Sequence, residues 1–440
     1  MKSIGGRVRA AVFTGAAASV LLFAAAAMGQ NQNSQGQNSN INEWPLGNAA
    51  PDNTWPYAMI GRSPVLAVVG DVACQPGQEP SGEKANEACN AAIPQNLYAS
   101  QAATANQIEK MKPDLVALLG DEQYQVGQYS DFENSYELTY GAFKFITRPS
   151  PGNHEFYTEH GAIGVAGYGY FSYFNGVQHN PDGTVVMTTI ANNPDTGGTF
   201  TQPVPYSDGQ AGHFEETGGL GNTVPAGGPI GVGDGWYSYN LGAWHLISLN
   251  IECETQPGGC SDMGSWFASE LEWLKNDLAE DHSPCTLAYW HQPTYSAANG
   301  LSEEGTTAQA FWQLLYQYGA DLVLNGHDHL YARYRPLDAS GNYDPKRGIR
   351  EFIVGTGGET LDTVVTTDAT SADPSGNPNF NAENLQAASG EFWGVMSLTL
   401  NPNGYAWDFE SALKDPGQTT GPATYSDKGF GTCHGGQRAW

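Results

Sequence analysis

The sequence has few basic residues. It contains 18 lysines and arginines against 46 aspartates and glutamates in 440 residues, which gives a formal net charge of −28 at pH 7. Nucleic acids and anionic lipid surfaces attract clusters of lysine and arginine that neutralise phosphate groups. A chain this acidic is repelled by both, so the composition excludes nucleic-acid binding. A hydrophobic fraction of 40% provides enough apolar side chains for a large core, which excludes general disorder.

Long apolar segments are also scarce, and the one present lies at the N-terminus. Three basic residues in the first nine positions precede an apolar stretch at 10–27, and small residues follow up to Gly29. This order predicts a signal peptide over 1–29, cleaved near Gln30, with an uncleaved membrane anchor as the alternative. No other segment is long and apolar enough to span a bilayer. We therefore expect a protein secreted to the periplasm or the extracellular space, without stable membrane insertion.

Cysteine pairs of the C-x2-C type are absent, which argues against a structural zinc site. The six cysteines are an even number, which suits disulfide bonds in an oxidising compartment. Short separations favour two of the predicted pairs, and the third joins the two cysteines that remain. The predicted pairs are Cys74–Cys89, Cys253–Cys260 and Cys285–Cys433.

Four short apolar runs each end in polar residues of the kind that bind metals. The runs predict buried strands at 64–69, 114–119, 286–290 and 321–325. Helical patterns at 97–111 and 307–318 precede two of these strands, which predicts βαβ units. Parallel strands in such units bring ligand-binding residues together at their carboxyl ends.

Further elements predict a layered α/β domain. An amphipathic helix is predicted at 265–280. Additional strands are predicted as a pair within 236–250 and singly at 349–354, 395–400 and 405–410.

The domain organisation follows from composition. Residues 30–56 are predicted to be a flexible leader, because their Asn-, Gln- and Ser-rich sequence can bury little apolar surface. The main domain is predicted over 57–415, with a C-terminal tail tied to it over 416–440. A Gly-rich segment at 157–235 is too long for an ordinary connection, so we interpret it as a structured insertion beside the candidate site. A solvent-facing segment without effect on a substrate is the alternative.

The polar residues at the strand ends form one set of possible ligands. The set comprises Asp71, Asp121, Tyr124, Asn153, His154, His291, His327 and His329. Carboxylates, an amide, a phenol and several imidazoles at neighbouring strand ends are costly to bury unless a cation binds them. Seven or so oxygen and nitrogen ligands, with no cysteine, exceed one tetrahedral zinc site and suit two ions bridged by a shared carboxylate.

The spacing of these residues resembles the calcineurin-like metallophosphoesterases, whose blocks run GD, GDxx[DY], GNH[DE], a His, and GHxH. The corresponding blocks stand here in the same order as Gly70-Asp71, the GDEQY segment 120–124, the GNHE segment 152–155, His291 and the GHDH segment 326–329. The tyrosine of GDEQY, with Ala73 where other branches have a ligating His, is similar to the purple acid phosphatase branch. The resemblance spans residues 64 to about 335 and implies an α/β fold of two packed mixed sheets flanked by helices, with a βαβαβ metal-binding core.

The resemblance also implies the ligands of two metal ions. One ion would be held by Asp71, Tyr124 and His329, the other by Asn153, His291 and His327, with Asp121 as the bridge. Phenolate and carboxylates suit a hard trivalent ion, so the resemblance implies Fe(III) at the Tyr124 site. Imidazoles and an amide suit a divalent Fe, Zn or Mn ion at the second site.

The activity implied is that of a secreted phosphatase acting on phosphorylated small molecules. A hydroxide generated on the metal pair would attack the phosphorus of a phosphate monoester. The implied catalytic residues are Asp121, His154, which binds phosphate or protonates the leaving oxygen, and Glu155, which orients His154. Substrate contacts are expected from Asn153, His154 and Tyr295.

Two other functions remain open at this point. A phosphodiesterase acting on nucleotides or lipid headgroups would use the same metal pair, because the pocket decides how the second ester group is treated. A non-catalytic binding protein could retain the fold without turnover. The sequence makes no prediction of oligomeric state.

Overall fold

The computed structural model describes residues 62–76, 88–89, 97–157, 167–191, 199–205, 235–253, 259–260, 266–298, 305–365 and 382–434. These residues all belong to one compact unit, Pro45–Trp440. The predicted signal peptide and leader lie outside the described residues. Within the described ranges, none of the helices combines the length and apolar character required to cross a membrane.

The strands are numbered in chain order. They are β1 Val65–Val69, β2 Gln75–Pro76, β3 Ala88–Cys89, β4 Leu115–Leu119, β5 Thr147–Ser150, β6 Met187–Ala191, β7 Thr199–Pro203, β8 Tyr237–Leu241, β9 Trp244–Ser248, β10 Cys285–Tyr289, β11 Leu322–Asn325, β12 Tyr331–Tyr334, β13 Arg350–Val354, β14 Leu385–Ser389, β15 Phe392–Asn401, β16 Gly404–Lys414 and β17 Ser426–Thr432. The α-helices are α1 Leu97–Met111, α2 Tyr129–Asn134, α3 Asn153–Tyr157, α4 Tyr168–Asn175, α5 Trp266–Glu280 and α6 Gly305–Tyr318. Two 3₁₀ segments, Tyr136–Leu138 and Tyr140–Ile146, follow α2.

Two large mixed sheets form the domain. One has six strands in the order β17-β16-β15-β1-β4-β5, and the other has seven in the order β14-β12-β13-β11-β10-β9-β8. Strands β1, β4 and β5 are parallel, as are β9, β10, β11 and β13. Hydrogen bonds join the sheets at several places; for example, the Ser150 hydroxyl donates to the Leu249 carbonyl over 2.7 Å. This arrangement confirms the predicted fold class.

The predicted helices and parallel strands are confirmed. Helix α1 spans 97–111 as expected, and the boundaries of α5, α6, β1, β4, β10 and β11 differ from prediction by at most two residues. Helix α5 packs Phe267, Leu274 and Leu278 into the core beneath the seven-stranded sheet. Burial of one such side chain stabilises the fold by roughly 1.5–3 kcal/mol.

Parts of the predicted insertion are described. They contain helix α4 and the antiparallel hairpin β6–β7. Helix α4 packs against the loop that follows Tyr124, and a Cβ on Gly169 would lie only 1.8 Å from the Gly127 carbonyl oxygen. The backbone N–H of Tyr129 donates to the side-chain oxygen of Gln202, within β7, over 2.8 Å. The described part of the segment therefore contacts the loop that follows Tyr124, and its role as an insertion that affects a substrate stays a prediction.

Two of the predicted disulfide bonds are confirmed. Cys253 is bonded to Cys260, and Cys285 to Cys433. Cys74 is also disulfide-bonded. The side chain of Cys89 lies outside the described residues, so the pairing of Cys74 with Cys89 stays a prediction.

Candidate metal centre

The carboxyl ends of strands from both sheets meet at one place. Asp71 and Asp121 each lie two residues past the end of a strand, β1 and β4 respectively. Asn153 begins α3 shortly after β5, and His291 and His327 each lie two residues past the end of β10 and β11. Residues separated by more than 200 positions in sequence thus converge because the parallel strands point in the same direction.

The backbone is strained at three of these positions. Asp71, Asp121 and His327 have φ angles of 61°, 50° and 65°. Non-glycine residues rarely adopt this left-handed conformation, which costs on the order of 1–3 kcal/mol at each position. Gly152 allows the close approach, because a Cβ there would lie 2.2 Å from Asp121 Oδ1. Such strain is typical of functional sites.

The first group of ligand-type atoms surrounds the Tyr124 hydroxyl. Its oxygen lies 2.9 Å from Asp71 Oδ1, 3.1 Å from Asp121 Oδ2 and 3.0 Å from His329 Nε2. His329 Nε2 is also 3.3 Å from Asp71 Oδ1. The ligand atoms of Asp71, Asp121 and His329 all lie within 4.8 Å of one another.

The second group surrounds the Asn153 amide oxygen. His291 Nε2 lies 3.0 Å from this oxygen, and His327 Nδ1 lies 3.2 Å from it. The two imidazole nitrogens are 3.3 Å apart, and His291 Nε2 is 3.1 Å from Asp121 Oδ2. Asp121 Oδ2 therefore belongs to both groups, which places this carboxylate between them.

Hydrogen bonds behind the imidazoles fix their orientation. Nδ1 of His291 donates to the Leu119 carbonyl over 2.7 Å, and Nδ1 of His329 donates to the Thr360 carbonyl over 2.7 Å. Each bond assigns the proton to Nδ1 and presents Nε2 to the ligand groups. Metal-binding histidines usually have such a partner on the second nitrogen.

The electrostatics of the site favour cations. Burial opposes ionisation of Asp121, but the positive charges of His291 and His154 outweigh it and hold the pKa of the Asp121 carboxyl well below its usual range. Burial alone would lower the pKa of His291, yet the Asp121 carboxylate raises it to about 10. Burial, then Asp121 and Asp71, raise the pKa of the Tyr124 hydroxyl well above its ordinary value. The carboxylates thus attract positive charge, and the oxygen and nitrogen atoms present fit two metal ions.

His154 lies next to these groups with its side chain 15% exposed. Its Nδ1 donates to the Gln125 carbonyl over 2.6 Å, and its Nε2 is 3.8 Å from Asp121 Oδ2. The ring packs against Tyr124 at a centroid distance of 4.3 Å. Burial lowers the pKa of His154 below its usual value. Nε2 is therefore the nitrogen directed to the site.

Glu155 and Tyr295 are the two remaining residues for which the sequence predicts a role. The Glu155 carboxylate accepts backbone N–H groups of Asp121, Gln123 and Gly152, over 2.8–3.1 Å, and so joins the loops after β4 and β5. Tyr295 is 5% exposed and packs in the core, with its ring edge-to-face against Trp312. The expected contact between Tyr295 and a substrate stays a prediction.

The segment after β13 is a part of the site that sequence reasoning missed. Its GTGGE run, 355–359, packs against the Asp71 loop, where the Glu359 N–H donates to the Asp71 carbonyl over 3.1 Å. Asp362 accepts the backbone N–H of His329 over 2.9 Å. The glycines were visible in the sequence as a signal of close backbone approach, but the partners were not.

The two sheets and the paired ligand groups at their strand ends define an α/β protein with a candidate metal centre. The family model described as calcineurin-like phosphoesterase matches residues 65–331, more than half of the chain. The chain therefore belongs to the calcineurin-like phosphoesterase family, as the sequence blocks predicted.

Named relatives are similar over shorter segments. Purple acid phosphatase 15 of Arabidopsis thaliana is 37% identical over 102 residues, which cover 22% of this chain and 18% of that protein. An acid phosphatase of Aspergillus ficuum is 30% identical over 149 residues, covering 26% of this chain and 24% of that protein. The matches thus span less than a quarter of either relative. Among solved structures, a purple acid phosphatase from yellow lupin seeds gives a TM-score of 0.49 at 17% identity, covering 84% of this chain and 55% of that chain.

Proposed function

We propose that the protein is a metal-dependent phosphatase that hydrolyses phosphate monoesters. The observation that carries this proposal is the pair of ligand groups that share Asp121 Oδ2. In the proposed site, Asp71, Tyr124 and His329 hold one metal ion, Asn153, His291 and His327 hold the second, and Asp121 bridges them. The similarity to acid phosphatases over part of the chain supports this reaction class.

The donor types favour different ions at the two positions. A phenol oxygen and two carboxylates surround the first, which suits Fe(III), and two imidazoles with an amide oxygen surround the second, which suits a divalent Fe, Zn or Mn ion. When bound, the two ions would neutralise charge on phosphate oxygens and lower the pKa of a bound water molecule.

The protein's own residues would position the substrate and transfer a proton. Since Nδ1 of His154 donates to Gln125, a protonated Nε2 would donate to a phosphate oxygen or to the leaving oxygen. The His154 backbone N–H donates to Asp121 Oδ1 over 2.9 Å. Because Asn153 directly precedes His154, this bond keeps Asn153 close to Asp121. Glu155 would act as a positioning residue, because its carboxylate accepts hydrogen bonds from the backbone N–H groups of Asp121, Gln123 and Gly152.

The test compares hydrolysis of p-nitrophenyl phosphate with that of its bis-ester, from acidic to alkaline pH. The metal-loaded protein is measured beside its Asp121→Asn variant as the blank. We expect faster monoester hydrolysis with an acidic optimum. Faster bis-ester hydrolysis would assign a phosphodiesterase instead. Turnover no higher than that of the blank would favour a binding protein and reject the proposal.

We also propose that the protein is secreted. The charged, apolar and small-residue segments at 1–29 support this location, as do the disulfide bonds, since such bonds persist in oxidising compartments. The test is the N-terminal sequence of protein recovered outside the cytoplasm. A new N-terminus near Gln30 is expected, and a protein retained in the cytoplasm with its first residues intact would contradict secretion.

A further inference from the structure

Asp328 lies between the two histidines of the GHDH segment and is completely buried. Its Oδ2 atom accepts three hydrogen bonds from the segment that follows His291. The donors are the Ser296 hydroxyl at 2.8 Å, the Ala297 N–H at 2.8 Å and the Ala298 N–H at 3.1 Å. The carboxylate is thus bonded to a different strand-end loop from the one that carries it.

A second buried carboxylate binds the same segment. Glu351 on β13 accepts the backbone N–H groups of Thr294 and Tyr295 through Oε1, at 3.0 and 3.3 Å. Five donors from residues 294–298 therefore converge on two carboxylates, and we call this arrangement the carboxylate clamp. It is formed by Asp328, Glu351 and residues 294–298.

The clamp connects two parts of the candidate metal centre. Residues 294–298 begin three positions after His291, and Asp328 is bonded in sequence to both His327 and His329. A buried carboxylate is costly unless donors compensate it, and a segment with several inward N–H groups needs acceptors. Asp328 therefore joins the segment after His291 to the loop of His327, and Glu351 joins the same segment to β13. These bonds add to the direct one in which the Gly326 N–H donates to the His291 carbonyl over 3.0 Å.

We propose that Asp328 and Glu351 are positioning residues that set the distance between the imidazoles of His291 and His327. This inference rests on the proposed function, since both imidazoles are ligands of the second metal ion in that proposal. Loss of the clamp would let the two loops separate and would weaken the binding of that ion.

The effect is expected to be unequal between the two ions. His329 has supports of its own, because its backbone N–H donates to Asp362 and its Nδ1 donates to Thr360. The first ligand group should therefore tolerate loss of the clamp better than the second. A purely structural role for Asp328 would weaken both groups, or neither.

The test measures Zn²⁺ binding to metal-depleted full-length protein by competition with a chromophoric chelator. In Asp328→Ala, the dissociation constant of one Zn²⁺ should rise roughly 10- to 100-fold, as for other supports of metal ligands, with a smaller change for the other. Asp328→Asn should restore binding, because its amide oxygen can accept the same three bonds. Ser296→Ala removes one of these bonds and should give a smaller rise.

Asp321→Ala is the matched control. Asp321 is also buried and accepts two backbone N–H groups, from Thr286 and His434, but at the opposite end of the β10 and β11 strands. The Asp321→Ala substitution should lower the midpoint of thermal unfolding without changing the dissociation constant of either Zn²⁺ ion. An equal loss of Zn²⁺ affinity in Asp321→Ala would overturn the inference.

The remaining outcomes are also decisive. Unchanged Zn²⁺ binding in Asp328→Ala, with two ions bound and normal hydrolysis in the unsubstituted protein, would reject the clamp alone. Failure of the unsubstituted protein to bind two ions or to hydrolyse esters would reject the proposed function, and the inference with it. If Asp328→Ala does not fold, unchanged Zn²⁺ affinity in Ser296→Ala would reject the clamp.

Discussion

Asp121 is the residue on which the two ligand groups depend. Its strained backbone is supported by neighbours, because its N–H donates to Glu155 over 3.0 Å and the Val72 N–H donates to its carbonyl over 2.9 Å. These bonds involve the backbone of Asp121 and do not require its negative charge. Replacement by the isosteric amide therefore tests the charge while it retains the shape.

Asp121→Asn is expected to lower the content of both metal ions together and to abolish most hydrolysis. The reason is that one carboxylate oxygen lies 3.1 Å from ligand atoms of each group. Metal content per chain, measured by mass spectrometry after gel filtration, checks this expectation. Loss of only one ion would show that Asp121 does not bridge.

His154→Ala is the comparison for Asp121→Asn. The His154 side chain contacts Gln125 and Tyr124 but belongs to neither ligand group. Metal content should stay unchanged while turnover falls by about 10²–10⁴-fold, the usual effect of losing a general acid. A drop in metal content here would reverse the roles assigned to the two residues.

Tyr124→Phe should remove the colour that arises from tyrosinate-to-iron charge transfer. Burial and two carboxylates keep this phenol protonated unless a cation replaces the proton, so phenolate formation reports metal binding. The measurement is the visible absorption spectrum of iron-loaded protein before and after substitution. An unchanged spectrum would eliminate Fe(III) at this position.

At the scale of single elements, helix α2 carries a partly buried acid, Asp131. Burial raises the pKa of Asp131 to about 7, and its Oδ2 has no hydrogen-bond partner among the described residues. The folded state therefore binds a proton more tightly than the unfolded chain does. Ionisation of Asp131 therefore lowers the free energy of unfolding. The loss grows between about pH 4 and pH 7, reaches up to about 4 kcal/mol, and stays constant above pH 7.

Asp131→Asn should consequently raise the free energy of unfolding above pH 7 and have little effect near pH 4. Denaturant unfolding at several pH values measures the difference. Glu133→Gln, an exposed change on the same helix, serves as the control and should alter stability little at either pH. A gain that is equal at both pH values would contradict the assigned ionisation.

The strands that could be predicted from sequence are those whose own residues are apolar. Strands β1 and β4 are almost continuous runs of buried Val, Leu and Ala, so their burial was evident. The strands missed were β2, β3, β5, β6, β7, β12, β14 and β17. The last, SDKGFGT, has poor strand propensity and forms because β16 supplies the partner, with Trp407 and Tyr405 lying against its glycines.

The candidate site shows the same division. Ligand-type residues were predictable because they follow apolar runs in a spacing that the family shares. The contacts of Glu155, Asp328 and Tyr295 were not predictable, because they depend on which distant backbone atoms or rings surround these side chains; the roles expected of Glu155 and Tyr295 stay predictions. A carboxylate that accepts N–H groups from another loop leaves no periodic signal in the sequence.

At the scale of the whole molecule, the disulfide bond Cys285–Cys433 joins the beginning of β10 to the segment after β17. It connects the seven-stranded sheet to the edge of the six-stranded one across 148 positions. The candidate metal centre lies at the other end of β10. The bond should therefore affect the stability of the whole molecule rather than the chemistry of the site.

The double variant Cys285→Ser with Cys433→Ser is expected to lower the free energy of unfolding by as much as about 5 kcal/mol, since opening a long loop restores much chain entropy to the unfolded state. The Cys253–Cys260 bond closes a loop with a separation of only seven residues. Replacing both of these cysteines by serine should therefore lower the free energy of unfolding by only about 2 kcal/mol. Denaturant unfolding of both variants and the unsubstituted protein gives the comparison. Metal content should remain normal in the first variant because its bond is remote from the ligands. A larger loss from the short loop would show that native contacts, rather than loop length, determine what each bond contributes.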